Sequence, residues 1–312
     1  MKRNRVITAL IALGFVLFPL VVKSDYYQHL VILALMWVVI GGSWNLLAGY
    51  TGQISFGHAI FFGTGAYTAG ILANKLGISA WWGMAFGGIV AALFGIVIGW
   101  ICFRLRGAYF ALATIAAGEI FRLVATTWES LTDGMVGIMV LQTFRSKLPY
   151  YYIMLALLAS GLLITRGVIN SRVGYYLRAL REAPEVAQSL GVNTARYRLI
   201  AIGLSAFLSA LSGTFYAQYV LYIDPPSVIS LGLSVEVVLI SVFGGSGTLY
   251  GPLLGTAILI PLTNLIRAWL GGAGKGIAYM VFAGIIILIC VLQPEGIIRL
   301  FKGPRKASRG YR

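Results

Sequence analysis

The chain has 312 residues, 59% of them hydrophobic and only 11% charged. Soluble domains carry about 25% charged residues, so this composition, with successive apolar runs of roughly 18 residues or more, excludes a soluble fold and indicates a single membrane-embedded unit spanning 1–312. The net charge of +15 would suit a nucleic-acid binder, but the distribution of the charges argues against one. Three Lys and Arg precede the first apolar run, two stand at 104–106, six in 166–198 and six after 293. In the topology traced below these share one side of the bilayer, which is the positive-inside bias.

Lys2, Arg3 and Arg5 lead into the apolar run Val6–Val22. The run is long and Pro19-Leu-Val-Val-Lys23 lacks a small-x-small cleavage site, so it reads as a retained first helix with its N-terminus in the cytoplasm. Leu30–Ala48 returns across the membrane. Gly49–Leu72, GYTGQISFGHAIFFGTGAYTAGIL, is rich in glycine and includes Gln53, Ser55 and His58. Glycines let helices approach closely, or let the backbone break at membrane depth where protein or a water-filled cavity surrounds it. The stretch therefore reads as a discontinuous or re-entrant segment lining a path, with a small-residue packing face as the alternative. His58 fits a buried, hydrogen-bonded histidine as well as a solute ligand.

Trp81–Cys102 is a further span, and Arg104 and Arg106 mark its cytoplasmic end. Ala108–Thr126 carries Glu119 three residues before Arg122, which puts both on one helix face. A carboxylate within a span faces protein or water, so the pair either lines a path or pins neighbouring helices. An outer loop of about 127–148 holds Glu129, Asp133, Arg145 and Lys147, and Pro149–Thr165 crosses back.

The most polar interval follows, about 166–198, with six arginines against Glu182 and Glu185. Pro184 suits the first turn of a helix, Gly191 the left-handed residue that ends one, and Asn193 or Thr194 the cap of the next. The punctuation predicts a helix to about Glu182, a break, a short helix of about two turns from Pro184, and a new start. A structured basic loop on so apolar a chain reads as a docking surface, although cytoplasmic loops are commonly basic for topology alone.

Leu199–Tyr222 carries the small residues Ser205, Ser209, Ser212 and Gly213; Asp224-Pro-Pro turns the chain; Val228–Phe243 is short and holds Glu236. GGSGTLYGPLLGTA, Gly244–Ala257, is a second glycine-rich block, and Leu253–Leu270 and Ile277–Leu292 precede a basic tail, 293–312, on the cytoplasmic side. These roughly ten apolar segments give an all-α polytopic membrane protein with roughly 8–10 transmembrane segments, either glycine block being able to re-enter. Paired glycine-interrupted segments point to a transport site.

Catalytic patterns fail. Gly274-Lys275-Gly276 lacks the rest of a phosphate loop, Gly244–Thr248 ends in Thr where a nucleophile elbow needs Gly, and Cys102 and Cys290 form neither a CxxC nor a metal pattern. With His29 and His58 its only histidines, the chain has no visible hydrolase set. An ion-coupled secondary transporter would favour intramembrane relays, and only Glu119 and Glu236 qualify.

Several blocks, in order, resemble those of bacterial branched-chain amino acid ABC transporter permeases: GYTGQISFGHAIFFGTGAYTAGIL, RLRGAYFALATIAAGEIFRL, TDGMVGI, RALREAPEVAQSLGVNTARYRL with SAFLSALSGTFYAQY, and SVEVVLISVFGGSGTLYGPLLGTA. The arginine-rich loop looks most like that of the M-type subunit; Pro184 departs from a continuous loop helix. The resemblance implies half of a pore in the bacterial inner membrane, working with a second related permease, two cytoplasmic ATPases and an extracytoplasmic solute-binding protein. It implies no catalytic residue and no cofactor in this chain, ATP and Mg being held by the ATPases. It places Arg178, Arg181, Glu182, Ala183, Pro184 and Gly191 in the ATPase-coupling loop. Gln53, Ser55, His58, Glu119, Glu236, Gly244, Gly245 and Gly247 are the candidates along the path. Branched-chain amino acids are the expected solutes, with urea or short amides as alternatives.

Overall fold

The computed structural model describes residues 13–79, 81–105, 107–269, 284 and 296–298. Residues 13–21 form helix α1, followed by α2 (Asp25–Trp44), which runs directly into a π-helical turn, Asn45–Gly49. Residues 52–57 are not helical, and α3 (His58–Leu76) resumes beyond them. α4 (Trp82–Cys102), α5 (Ala108–Thr127), α6 (Glu129–Thr132), β1 (Ile138–Met139) and α7 (Lys147–Asn170) follow. The chain continues through α8 (Arg172–Glu182), α9 (Pro184–Ser189), α10 (Thr194–Val220), β2 (Tyr222–Ile223), α11 (Pro225–Val228), α12 (Leu231–Gly245) and α13 (Gly251–Trp269).

Among the described residues, six stretches are long and apolar enough to cross a bilayer: Asp25–Gly49, Trp82–Cys102, Ala108–Thr127, Lys147–Asn170, Thr194–Val220 and Pro225–Gly245. The protein is thus an all-α, multi-pass membrane protein. Of the other segments expected from sequence, one is α3, and another is α13, whose shorter apolar stretch is Gly251–Leu265. Most of Ile277–Leu292, most of the tail 293–312, the first half of Val6–Val22, Arg106 and Cys290 lie outside the described residues.

α10 is the most enclosed span and packs along α3, α4 and α2. Small residues allow this. A Cβ on Gly213 would lie 1.9 Å from the Phe62 carbonyl oxygen, and one on Gly65 would lie 2.1 Å from that of Ala210. Lipid tails are as apolar as leucine, so helices in a bilayer associate through such close packing and through hydrogen bonds. Both occur here. The Ser205 hydroxyl donates to the Ser43 carbonyl at 2.5 Å and the Thr214 hydroxyl to that of Gly65 at 2.9 Å. α5 is the least enclosed span. Antiparallel β1 and β2, with Ile138 opposite Ile223, lie at the end of the bundle opposite α8 and α9.

Candidate functional site

Two regions gather the candidate residues: an elbow at one end of the bundle, formed by α8 and α9, and a wall made by α5, the break before α3, and α12.

α8 turns its Gly174, Leu177 and Leu180 inward and leaves its charges outside. A Cβ on Gly174 would meet the Ile169 carbonyl oxygen at 2.3 Å, so glycine is what lets α8 fold tightly back on α7. Arg178 secures that corner. Its Nη2 donates to the Ile169 carbonyl at 2.7 Å, its Nε donates to Gly174 at 3.2 Å, and its guanidinium lies 5.1 Å over the Tyr175 ring. Glu182 is exposed and Ala183 is half-buried at the break. Pro184 opens α9, which buries Ala187 but leaves Val186 59% exposed, and Leu190 at its C-terminal end is 79% exposed. Gly191 then takes φ +84°, with its N–H donating to Gln188 and that of Val192 to Ala187, a left-handed helix ending. A Cβ at Gly191 would meet nothing within 4 Å, so the demand for glycine there is one of backbone conformation alone. The Asn193 Oδ1 accepts from the Arg196 N–H at 3.0 Å and caps α10. Replacing Asn193 by Ala is expected to cost about 1 kcal/mol, read as a lower thermal midpoint of the detergent-solubilised protein.

Arg181, in the last turn of α8, is exposed overall but turns its guanidinium toward the end of the bundle. Its Nη1 donates to the Gly49 carbonyl at the end of the π-turn, at 2.5 Å. Three glycines shape the slot it occupies. Gly52, at φ +75°, lies along its stem, a Cβ on Gly247 would fall 2.0 Å from its Nη1, and one on Gly49 would fall 2.5 Å from the Gly247 nitrogen. Asn45 closes the joint: its Oδ1 accepts from the Gly247 N–H at 2.7 Å and its Nδ2 donates to the Thr248 carbonyl at 2.7 Å. The end of α8, the π-turn of α2 and the α12–α13 turn therefore meet at one guanidinium and one amide. Gly244 and Gly245 sit immediately before that turn, Gly245 at φ +119°. Tyr50, beside the joint, is held by burial at a pKa of about 12 against the opposing pull of Arg178 and Arg181, so its phenol stays neutral.

In the wall, the non-helical stretch before α3 exposes Gly52 and Ile54, leaves Gln53 half-buried and buries Ser55. The Ser55 hydroxyl accepts from the Gly57 N–H and its carbonyl accepts from Trp44 Nε1 at 2.7 Å. Thr114 of α5 supports the break, accepting from the Phe56 N–H at 3.0 Å. His58 is fully buried, with Nε2 2.8 Å from the Ser205 hydroxyl; it faces α10 rather than the wall. Glu236 is half-buried on α12, which packs against both α3 and α5. Glu119 pairs with Arg122 within α5 rather than with a neighbouring helix: Arg122 Nε lies 3.1 Å from Oε1 and 3.0 Å from Oε2, and its Nη2 donates to Oε1. The pair stands on the open face of the helix, Glu119 49% and Arg122 28% exposed. The cavity bounded by Val38, Ser43, Asn45, Leu158, Thr165 and Leu208 measures about 20 Å³, room for a water but not for a solute.

Asn45, Gly49 and Thr114 were not singled out from sequence. Asn45 carried a signal, being a polar amide inside the apolar run Leu30–Ala48.

The family described as the branched-chain amino acid transport system permease component matches residues 26–291. The high-affinity branched-chain amino acid transport system permease protein LivM of Escherichia coli K12 is 25% identical, over 99% of this chain and 78% of that protein. The corresponding LivH protein of the same organism is 25% identical, over 84% of this chain and 92% of its own length. The autoinducer 2 import system permease protein LsrC of Salmonella paratyphi B is 27% identical over 66% of this chain and 62% of that protein. No solved structure matches. With the family spanning nearly all the described helices, the chain belongs to the branched-chain amino acid transport system permease family.

Proposed function

We propose that this chain is one of two permease subunits of an ATP-driven importer, carrying branched-chain amino acids across the bacterial inner membrane. The observation that carries this reading is the joint at Arg181. An exposed elbow is bonded by one guanidinium to the broken end of one span, Gly49 on α2, and that guanidinium packs against Gly247 after α12, which Asn45 of the same π-turn holds. That is the arrangement expected if force on the elbow moves spans. In the proposed complex the elbow faces the cytoplasm, with both termini on that side. Val186 of α9 and Leu190 just after it, exposed beside Glu182 and Glu185, enter a cleft of one ATPase. ATP would be bound and split there, and this chain does no covalent chemistry.

The wall of α5, the α3 break and α12 supplies half of the solute path. The other half comes from a second permease of similar fold, a division supported by this chain's similarity to both LivM and LivH. At the opposite end, the exposed Met135, Val136, Met139 and Leu141 beside the β-ribbon form the contact for the solute-binding protein. The relatives' names favour a branched-chain amino acid over urea or a short amide. An ion-coupled transporter working alone gains no support from Glu119, which is already paired.

The test is reconstitution of the chain with its neighbouring permease, ATPases and binding protein, measuring leucine uptake with and without ATP. Uptake driven by an ion gradient in the lone chain would refute the reading. Gly191→Val probes the elbow within the same assay. A β-branched residue resists positive φ, so the turn after α9 should be displaced, with ATPase co-purification and uptake falling together. Unchanged docking and uptake would remove the elbow from the mechanism.

A further inference from the structure

We infer that Glu119 and Arg122 form a zwitterion-binding site on the solute path, exchanging their mutual ion pair for one with the ammonium and carboxylate of an α-amino acid; this rests on the importer reading above. Glu119 is the twelfth residue of the 20-residue α5. At 1.5 Å per residue it stands about 17 Å along the helix, close to the centre of a hydrocarbon layer about 30 Å thick. A carboxylate and a guanidinium at that depth, exposed on the least enclosed span, cannot face acyl chains without a large cost. The depth also keeps lipid headgroups out of reach, so a headgroup is not the ligand.

The chemistry of the pair fits one class of solute. Arg122 spends Nε and Nη2 on Glu119, and among the described residues its Nη1 has no hydrogen bond. Its outer edge is therefore free to take a carboxylate in a two-point contact. Glu119 keeps lone pairs for an ammonium. An α-amino acid carries its two charges on groups flanking one carbon, so both contacts form together, and every charge stays compensated as the internal pair opens. A neutral amide leaves the internal pair closed, and a solute with a single charge strands one partner at membrane depth, where an unpaired charge is costly. On the Glu119 side of the helix, seven residues before it and four after, Leu112 and Leu123 are 61% and 49% exposed, an apolar surface for an aliphatic side chain. The half-open break at Gln53 and Ile54 lies next to this helix, which braces it through Thr114. The bland alternative is an ion pair that merely joins α5 to the second permease.

The complete importer in proteoliposomes separates the two. The quantity read is leucine imported per ATP hydrolysed, with assembly checked by gel filtration. The double variant E119Q/R122Q removes both charges and leaves a polar amide at each position, isosteric with the original at 119. It should lower import per ATP about tenfold or more, the loss expected for charge-assisted contacts. The reversed pair E119R/R122E should fail to restore it, because the solute would meet each charge on the wrong side. A structural ion pair predicts the opposite, since reversal rebuilds it. Import per ATP within about twofold of the unmodified protein in the double variant, or recovery in the reversed one, overturns the proposal. Absence of ATP-driven leucine uptake in the unmodified complex is a different result, and it refutes the importer reading itself.

Discussion

Gly244→Ala is expected to destabilise the protein severely. The new methyl carbon would lie 1.8 Å from the Gly251 carbonyl oxygen and 2.8 Å from the Gly255 nitrogen. All of these are backbone atoms, so no side chain can swing aside, and α12 and α13 would have to separate. Overpacking of this kind costs about 1–3 kcal/mol and sometimes more. Separation would also pull Gly247 and Thr248 off Asn45, which holds the turn through two hydrogen bonds. The control is Gly167→Ala on α7, where a Cβ meets nothing within 4 Å. There the better helix propensity of alanine should stabilise by up to about 1 kcal/mol. Thermal midpoints of the two variants in detergent should move in opposite directions. A Gly244→Ala protein as stable as its parent would show that α12 and α13 do not approach this closely.

The second large effect is expected at Arg181. Arg181→Gln removes the charge-assisted bond to the Gly49 carbonyl and empties the slot beside Gly52 and Gly247. Hydrogen bonds to charged groups contribute about 1.5–3 kcal/mol, and the thermal midpoint should fall accordingly. Under the proposed function the larger consequence is functional: the elbow would still dock, but its movement would no longer reach α2 and α12. ATP hydrolysis should then persist with little solute imported. Gly247→Ala attacks the same joint from the other side, since its Cβ would displace the Arg181 guanidinium without changing Arg181. Both variants should give the same uncoupled behaviour. Normal uptake in either would take the joint out of the transmission.

The elbow was largely legible because its rules are local. Proline at a first turn, glycine in a left-handed ending and asparagine at a cap each act within a few residues, and Pro184, Gly191 and Asn193 sit at those positions in the structure. The roles of the glycines were not separable in the same way. Composition allows either a packing face or a break in the helix, and the fold contains both. Gly52 and Gly57 belong to the break, while Gly63 and Gly65 lie in α3, where Gly65 meets the backbone of α10. Glu119 and Arg122 were legible as one helix face, but not as partners of each other in preference to another helix.

The alternation of apolar runs and clustered basic residues, by itself, determined that the chain is a multi-pass helical membrane protein, and local turn chemistry determined the shape of its central loop. Only the tertiary structure decided what that loop is tied to. Arg181 and Gly49 are 132 residues apart, and Gly247 and Asn45 are 202 apart. Periodicity and capping report on neighbours along the chain, where a turn or a helix face repeats within a few residues. A guanidinium in a slot of three glycines leaves no such repeat, and it exists only once helix packing has brought distant backbone groups together.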